Sequence, residues 1–209
     1  YPLDMRMTYC ASFFICGTPN ETAAGAEPFR KTDLVAAKQA LAESGYKGEK
    51  VVVLLPTDVP YLNAAALVTI QTLKSIGMNV DAQSMDWPTV TARRSKKEAP
   101  DAGGWNVYVT VAGQFDADSP ITNAYLGASC GNSLPGWPCD KTLDELRAVW
   151  LRETVPARRK QALDAFQRRA YEVVPYAFFG QYSPAYGVRK TVKNMDKWWS
   201  IPNIWVLDK

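Results

Sequence analysis

Two aspartates two positions apart stand in the stretch Gln114-Phe115-Asp116-Ala117-Asp118. Carboxylates at that spacing in a loop suit three tasks. They receive an ammonium or guanidinium group, accept from sugar hydroxyls, or act as the paired acid and base of a hydrolase. The local alternative is an Asx turn, in which a short carboxylate bonds its own backbone. A third carboxylate, Asp86, precedes Trp87 at the predicted end of a strand. In open α/β sheets ligands sit beyond the carboxyl ends of the strands, and a carboxylate beside an indole there suits a cationic or polar ligand. The local alternative makes Asp86 a helix cap and Trp87 part of the core. The run Arg93-Arg94-Ser95-Lys96-Lys97 reads first as a solvated helical face, with Arg93 or Arg94 able to reach a ligand carboxylate. The candidate ligand-binding set is therefore Asp86, Trp87, Arg94, Gln114, Phe115, Asp116 and Asp118.

Other chemistry is excluded by what the chain lacks. Its 209 residues contain no histidine, which removes Ser-His-Asp and Cys-His catalysis and His-ligated zinc. There is no Gly-rich phosphate loop and no G-x-S-x-G elbow. A net charge of +3 argues for neither nucleic acid nor an anionic membrane as partner. The four cysteines, Cys10, Cys16, Cys130 and Cys139, lack the spacing of a redox or zinc motif. Three pairings are open to them. Proximity favours Cys10 with Cys16 and Cys130 with Cys139, which places the protein in an oxidising space, and four buried free thiols are the alternative. No metal and no cofactor is expected.

The elements that must position these residues are readable from period and punctuation. Asp33 caps a helix over Leu34, Ala37 and Leu41 that stops at Gly45. Lys50 to Leu55 is a buried strand ended by Pro56. Asp58-Val59-Pro60 opens a second helix, with Asp58 as capping carboxylate and Leu62, Ala66, Ile70, Leu73 and Ile76 on one face. Asn79 to Met85 is a strand, so the two strands form a right-handed and hence parallel βαβ unit. A short helix runs from Pro88 into the basic residues, and Trp105 to Val111 alternates like a further strand. Residues 113–140 are a long loop, pinned by the second cysteine pair. Thr142 with Glu145 forms a capping box, and Pro156 opens a helix with Leu163, Phe166, Ala170 and Val173 as its stripe. Extended pieces follow at 176–182 and 185–189, then an aromatic tail with Trp198, Trp199 and Trp205. No run of eighteen apolar residues is present, so nothing in the chain is expected to span a membrane.

Asp33-Leu34-Val35-Ala36-Ala37-Lys38-Gln39-Ala40-Leu41-Ala42-Glu43-Ser44-Gly45-Tyr46, with its Val-rich strand, resembles the family 5 extracellular solute-binding proteins of ABC transporters, the dipeptide, oligopeptide and nickel binders. The stretches Leu73 to Val80 and Asp86-Trp87-Pro88-Thr89-Val90 look like that family's leucine, isoleucine-glycine, valine, aspartate-tryptophan stretch. Asp116 to Pro120 sits where it has an aspartate-rich loop. Trp137 to Leu146, Ala157 to Gln161 and Val174-Pro175-Tyr176 are similar to its closing helices.

The resemblance implies an α/β fold: the C-terminal lobe of a class II periplasmic-binding-protein-like architecture, with βαβ units and a mixed sheet flanked by helices. Residues 1–32 would be a disulfide-held leading segment, 33–190 the ligand-binding lobe and 191–209 a tail returning to a first lobe that precedes this chain. The start at Tyr1 predicts a processed or excised piece, and Ile204 to Lys209 resembles a family terminus. An aspartate at 116 or 118 would meet the amino end of a peptide, although Asp-Ala-Asp-Ser-Pro departs from the family's usual Asp-Pro-Asp-Asn. The implied function is non-enzymatic capture of a peptide or similar small polar solute outside the cytoplasm, and delivery to an ABC permease. Two other classes compete with it: a carboxylate-only hydrolase using Asp116 and Asp118, and an adaptor domain docking through Trp198 and Trp199.

Overall fold

A computed structural model describes residues 6–183, 189 and 191. In chain order the elements are β1 (Arg6–Thr8), α1 (Leu34–Glu43), β2 (Lys50–Pro56), α2 (Pro60–Ile76), β3 (Asn79–Met85), α3 (Trp87–Arg93), β4 (Val107–Tyr108), α4 (Lys141–Arg152), α5 (Pro156–Val173) and β5 (Gln181–Ser183). They divide into two units. A continuous one spans Lys31–Val111, and a discontinuous one joins Tyr1–Arg30 to Ala112–Lys209. The boundary at 111/112 has no compositional signal in the sequence. The tail tryptophans lie outside the described residues, as does the extended piece at 185–189 apart from Arg189.

The continuous unit is built around β2. Seven residues of β2 pair in parallel with β3, from Lys50 opposite Asn79 to Pro56 opposite Met85. On its other edge β4 pairs in parallel at Val53–Val107 and Leu54–Tyr108, giving the order β3-β2-β4. Helices cover both faces, so β2 reads as an unbroken apolar run. Val53 and Leu55 face Leu62, Ala66 and Ile70 of α2, while Val52 and Leu54 face Val90 of α3. Each such fully buried aliphatic stabilises by about 1.5–3 kcal/mol. Asp33 caps α1 through bonds from the Val35 and Ala36 amides, and Gly77, at φ 107, ends α2. α1 buries no residue of its own.

Two expectations fail here for local reasons. Asp58 does not cap α2, since Val59 holds the N-cap position without a side-chain bond; Asp58 Oδ1 instead accepts from the Trp87 amide at 2.7 Å. The strand expected over 105–111 is only two residues long. The side chain of Asn106 takes part of the ladder, its Oδ1 accepting from the Val52 amide at 2.8 Å while its own amide donates to the Val52 carbonyl.

The core of the discontinuous unit joins residues far apart in sequence. Phe13 and Phe14 from the leading segment pack with Leu126, Leu143, Trp150, Leu163, Phe166 and Ala170. Phe13 meets Tyr171, Tyr176 and Phe178 edge to face at 5.0, 5.2 and 5.0 Å, the arrangement favoured by ring quadrupoles. Gln167, fully buried in α5, ties the segment down: its Oε1 accepts from Ser12 Oγ at 3.1 Å and from the Phe13 amide at 3.2 Å. Its Nε2 donates to the Ala11, Thr22 and Ala24 carbonyls. β1 and β5 form an antiparallel pair, separate from the parallel sheet, so the described strands make two sheets and not one mixed sheet.

Both local disulfides form, Cys10–Cys16 and Cys130–Cys139. α4 starts two residues earlier than a Thr142 capping box requires. Asp140 is the N-cap, its Oδ1 accepting from the Leu143 amide at 2.7 Å, and Arg169 grips the same carboxylate at 3.1 and 2.6 Å. Pro156 opens α5, whose first turn holds Arg158 and Arg159 and no acidic residue; its last turn holds no basic one. That polarity opposes the helix dipole at about 0.3–1 kcal/mol per charge.

Candidate ligand-binding residues

In the discontinuous unit, one 3₁₀ turn, Phe115–Ala117, carries the acidic pair, with Gln114 before it and Asp118 closing it. The Ala117 amide bonds the Gly113 and Gln114 carbonyls. Gln114, Phe115 and Asp116 are exposed, Phe115 to 72%, and Asp118 is half-buried. Among the described residues neither carboxylate has a hydrogen bond or an ion pair. The root of this turn is locked. Ser119 and Thr122 bond each other through side chains and backbone, and the Asn123 amide donates to the Ser119 carbonyl. Asn123 is buried, its Nδ2 donating to the Phe13 carbonyl at 3.0 Å and to Tyr176 Oη at 2.9 Å. Burial pushes the Tyr176 phenol up to about 12, so it stays a neutral partner. Two unengaged carboxylates thus project from a rigid base. Their chemistry is that of acceptors for a cationic or multiply donating ligand.

The continuous unit holds the other three candidates. Asp86 is the N-cap of α3, accepting from the Thr89 amide at 2.9 Å, and the bonds to Thr89 hold its carboxyl below the usual carboxylate range. The capping alternative therefore describes its local bonding. Trp87 is half-buried and packs against both faces of the β2 core. The Arg94 guanidinium lies 6.0 Å from the Trp87 ring and 5.8 Å from that of Tyr108, within cation–π range. Arg93 departs from a solvated helical face: its guanidinium donates to the Gly103 and Gly104 carbonyls at 3.0 and 2.9 Å and to Gln83 Oε1. Trp87 and Arg94 are thus brought together, as are Gln114, Phe115, Asp116 and Asp118, each set within its own unit.

Sequence reasoning passed over Asn123 and Gln167, the buried amides that fix the acidic turn and the leading segment. Gln167 left a signal, a lone amide on the apolar stripe between Leu163 and Ala170. A cavity of about 270 Å³, lined by Ala128, Pro138, Cys139, Asp140, Leu143 and Pro175, contains none of the candidates. Among the described residues no group of His, Cys, Asp and Glu is placed to hold a metal ion, and no helix is long and apolar enough to cross a membrane.

Residues 12–134 match the family described as bacterial extracellular solute-binding proteins, family 5 Middle. A probable peptide ABC transporter periplasmic-binding protein of Sinorhizobium fredii is 30% identical over 173 residues, 83% of this chain and 32% of that protein. The chain therefore spans about a third of the length of that curated relative. Solved structures share its fold, and two serve as examples. The binding protein AgaA of A. tumefaciens R10, in complex with agropinic acid, superposes with a TM-score of 0.69 at 23% identity, over 88% of this chain and 38% of that one. The murein tripeptide binding protein MppA of Escherichia coli gives 0.62 at 21%, over 80% and 33%. An α/β architecture of a three-stranded parallel sheet flanked by helices, two local disulfides and a family match over more than half its residues lead to one assignment: the chain belongs to the bacterial extracellular solute-binding proteins, family 5.

Proposed function

We propose that this chain is part of the solute-binding component of an ABC import system, working outside the cytoplasm and handing a peptide or similar small polar molecule to a membrane permease. The observation that carries the reading is the Phe115–Ala117 turn, whose two unengaged carboxylates are held on a locked base. Asp116 or Asp118 takes the cationic amino end of the solute, and Gln114 and Phe115 flank it. Within the continuous unit, Trp87 and Arg94 form a separate candidate contact, an indole beside a guanidinium able to meet a carboxylate. Capture is non-covalent: apolar walls desolvate the solute, a few charges orient it, and lobe closure presents it to the permease. The S. fredii relative, described as a peptide transporter's binding protein, supports the solute class.

The test is calorimetric titration of the full protein with short peptides carrying free or acetylated amino termini. A free amino end should bind at least about tenfold tighter, and Asp116→Asn or Asp118→Asn should remove that difference, a loss of about 1.4 kcal/mol. Peptides that are cleaved on incubation, or that bind equally with blocked ends, would refute the reading.

A further inference from the structure

The connection between α4 and α5 exposes three aliphatic side chains, Val149 at 52%, Leu151 at 58% and Val155 at 40%. Three arginines stand close to them in sequence. Arg152 is exposed at the end of α4, and Arg158 and Arg159 stand in the first turn of α5. Arg159 lies 4.0 Å above the ring of Trp150, which is buried, so the guanidinium is held over an apolar floor with its edge outward. The one acidic residue of the connection, Glu153, is spent on Arg158 at 3.0 Å and on the Val155 amide at 2.8 Å. Cations are gathered at the end of α5 where its dipole disfavours them, and are missing from the end where it would favour them. Local rules broken in this way mark surfaces shaped by something other than stability.

We propose that this elbow is a docking surface for an acidic protein face, and that the partner is the acidic extracytoplasmic surface of the permease that receives the solute. The inference rests on the import reading above. Charge complementarity selects the partner's sign, and guanidinium forks match carboxylates in bidentate fashion. A second copy of the chain is a poor occupant, because a two-fold contact would set arginine against arginine. An anionic lipid surface fits less well, since the elbow exposes no aromatic ring of the kind that anchors at a headgroup layer.

The experiment uses the full protein and its permease reconstituted in nanodiscs, and reads solute-dependent ATP hydrolysis against binding-protein concentration. Arg152→Glu should raise the half-maximal concentration by about tenfold while leaving the affinity for peptide unchanged, and Arg152→Lys should restore most of the loss. Salt raised from about 50 to about 300 mM should weaken the wild type more than Arg152→Glu. A wild type that binds no peptide, or does not stimulate the permease, refutes the import reading and this proposal together. A wild type that does both, with Arg152→Glu stimulating at the same concentration, refutes docking alone. Binding to phosphatidylglycerol vesicles without permease overturns the proposal in favour of lipid. Failure of Leu151→Cys to react with a maleimide in the full protein overturns it too, because the elbow is then already covered.

Discussion

Gln167 occupies a position in α5 that the apolar stripe would give to leucine, yet its amide makes five bonds to residues between Ala11 and Ala24. Gln167→Leu keeps the volume and removes every bond, leaving the Phe13 amide and the Thr22 carbonyl orphaned in the interior. Each buried orphan costs about 1–3 kcal/mol. The variant should lose about 3 kcal/mol of unfolding free energy in urea titrations, and stability equal to wild type would contradict this account. Tyr176 gives a pH signature. Burial raises its phenol to about 12, above the ordinary value of 10.0. The stabilisation is complete below pH 10, where both states are protonated, and is lost as pH rises from there toward 12, because the unfolded chain ionises first. Denaturation midpoints should fall through that window, and Tyr176→Phe should flatten the fall. Tyr171, also raised to about 12 chiefly by burial, keeps part of the slope.

At the scale of elements, Asp140 combines two jobs in one carboxylate. It caps α4 and receives Arg169, whose hydrogen bonds hold it below the usual carboxylate range. A depressed folded pKa gives stability that is present above the unfolded value near 4 and is lost as pH falls through the folded one. Asp140→Asn should remove that acid-side slope while keeping an acceptor for the Leu143 amide. Asp140→Ala should lose the cap as well, at about 1–2 kcal/mol. Thermal melts of the three proteins between about pH 2 and 7 separate the effects. α4 starts before the Thr142 capping box because Asp140, two residues earlier, also accepts at the helix start and is held there by Arg169 from 29 positions away. β2, α2, β3 and the Asp33 cap were readable, since period and capping are local. β4 was overestimated because Asn106 replaces backbone with side chain, and Asp58 was misassigned because its donor lies across the sheet. The acidic turn could be seen as a loop with two carboxylates, but its rigid base could not: the groups that lock it, Asn123, Phe13 and Tyr176, come from three separate stretches.

The whole molecule is divided unevenly along its sequence. The Lys31–Val111 unit is one unbroken stretch, whereas the other unit needs residues from both sides of it. The leading segment is bound to α5 by core packing and by Gln167, not by a disulfide, because both bridges are internal to their own stretch. Arg30, Lys31 and Phe115 are exposed beside the crossings between units. Limited trypsin should therefore cut first after Arg30 or Lys31, and chymotrypsin after Phe115. The nicked leading peptide should co-elute with the C-terminal part on native gel filtration and separate in non-reducing denaturant. Its loss under native conditions would contradict the packing described.

Each half-cystine is bonded to its nearest neighbour along the chain, six positions apart in one bridge and nine in the other. Among these four cysteines, Cys16 is the first to join Cys10 when the polypeptide is threaded amino end first into an oxidising space, and Cys130 follows much later. Of the three pairings open to the four, the native one is therefore the earliest to become available.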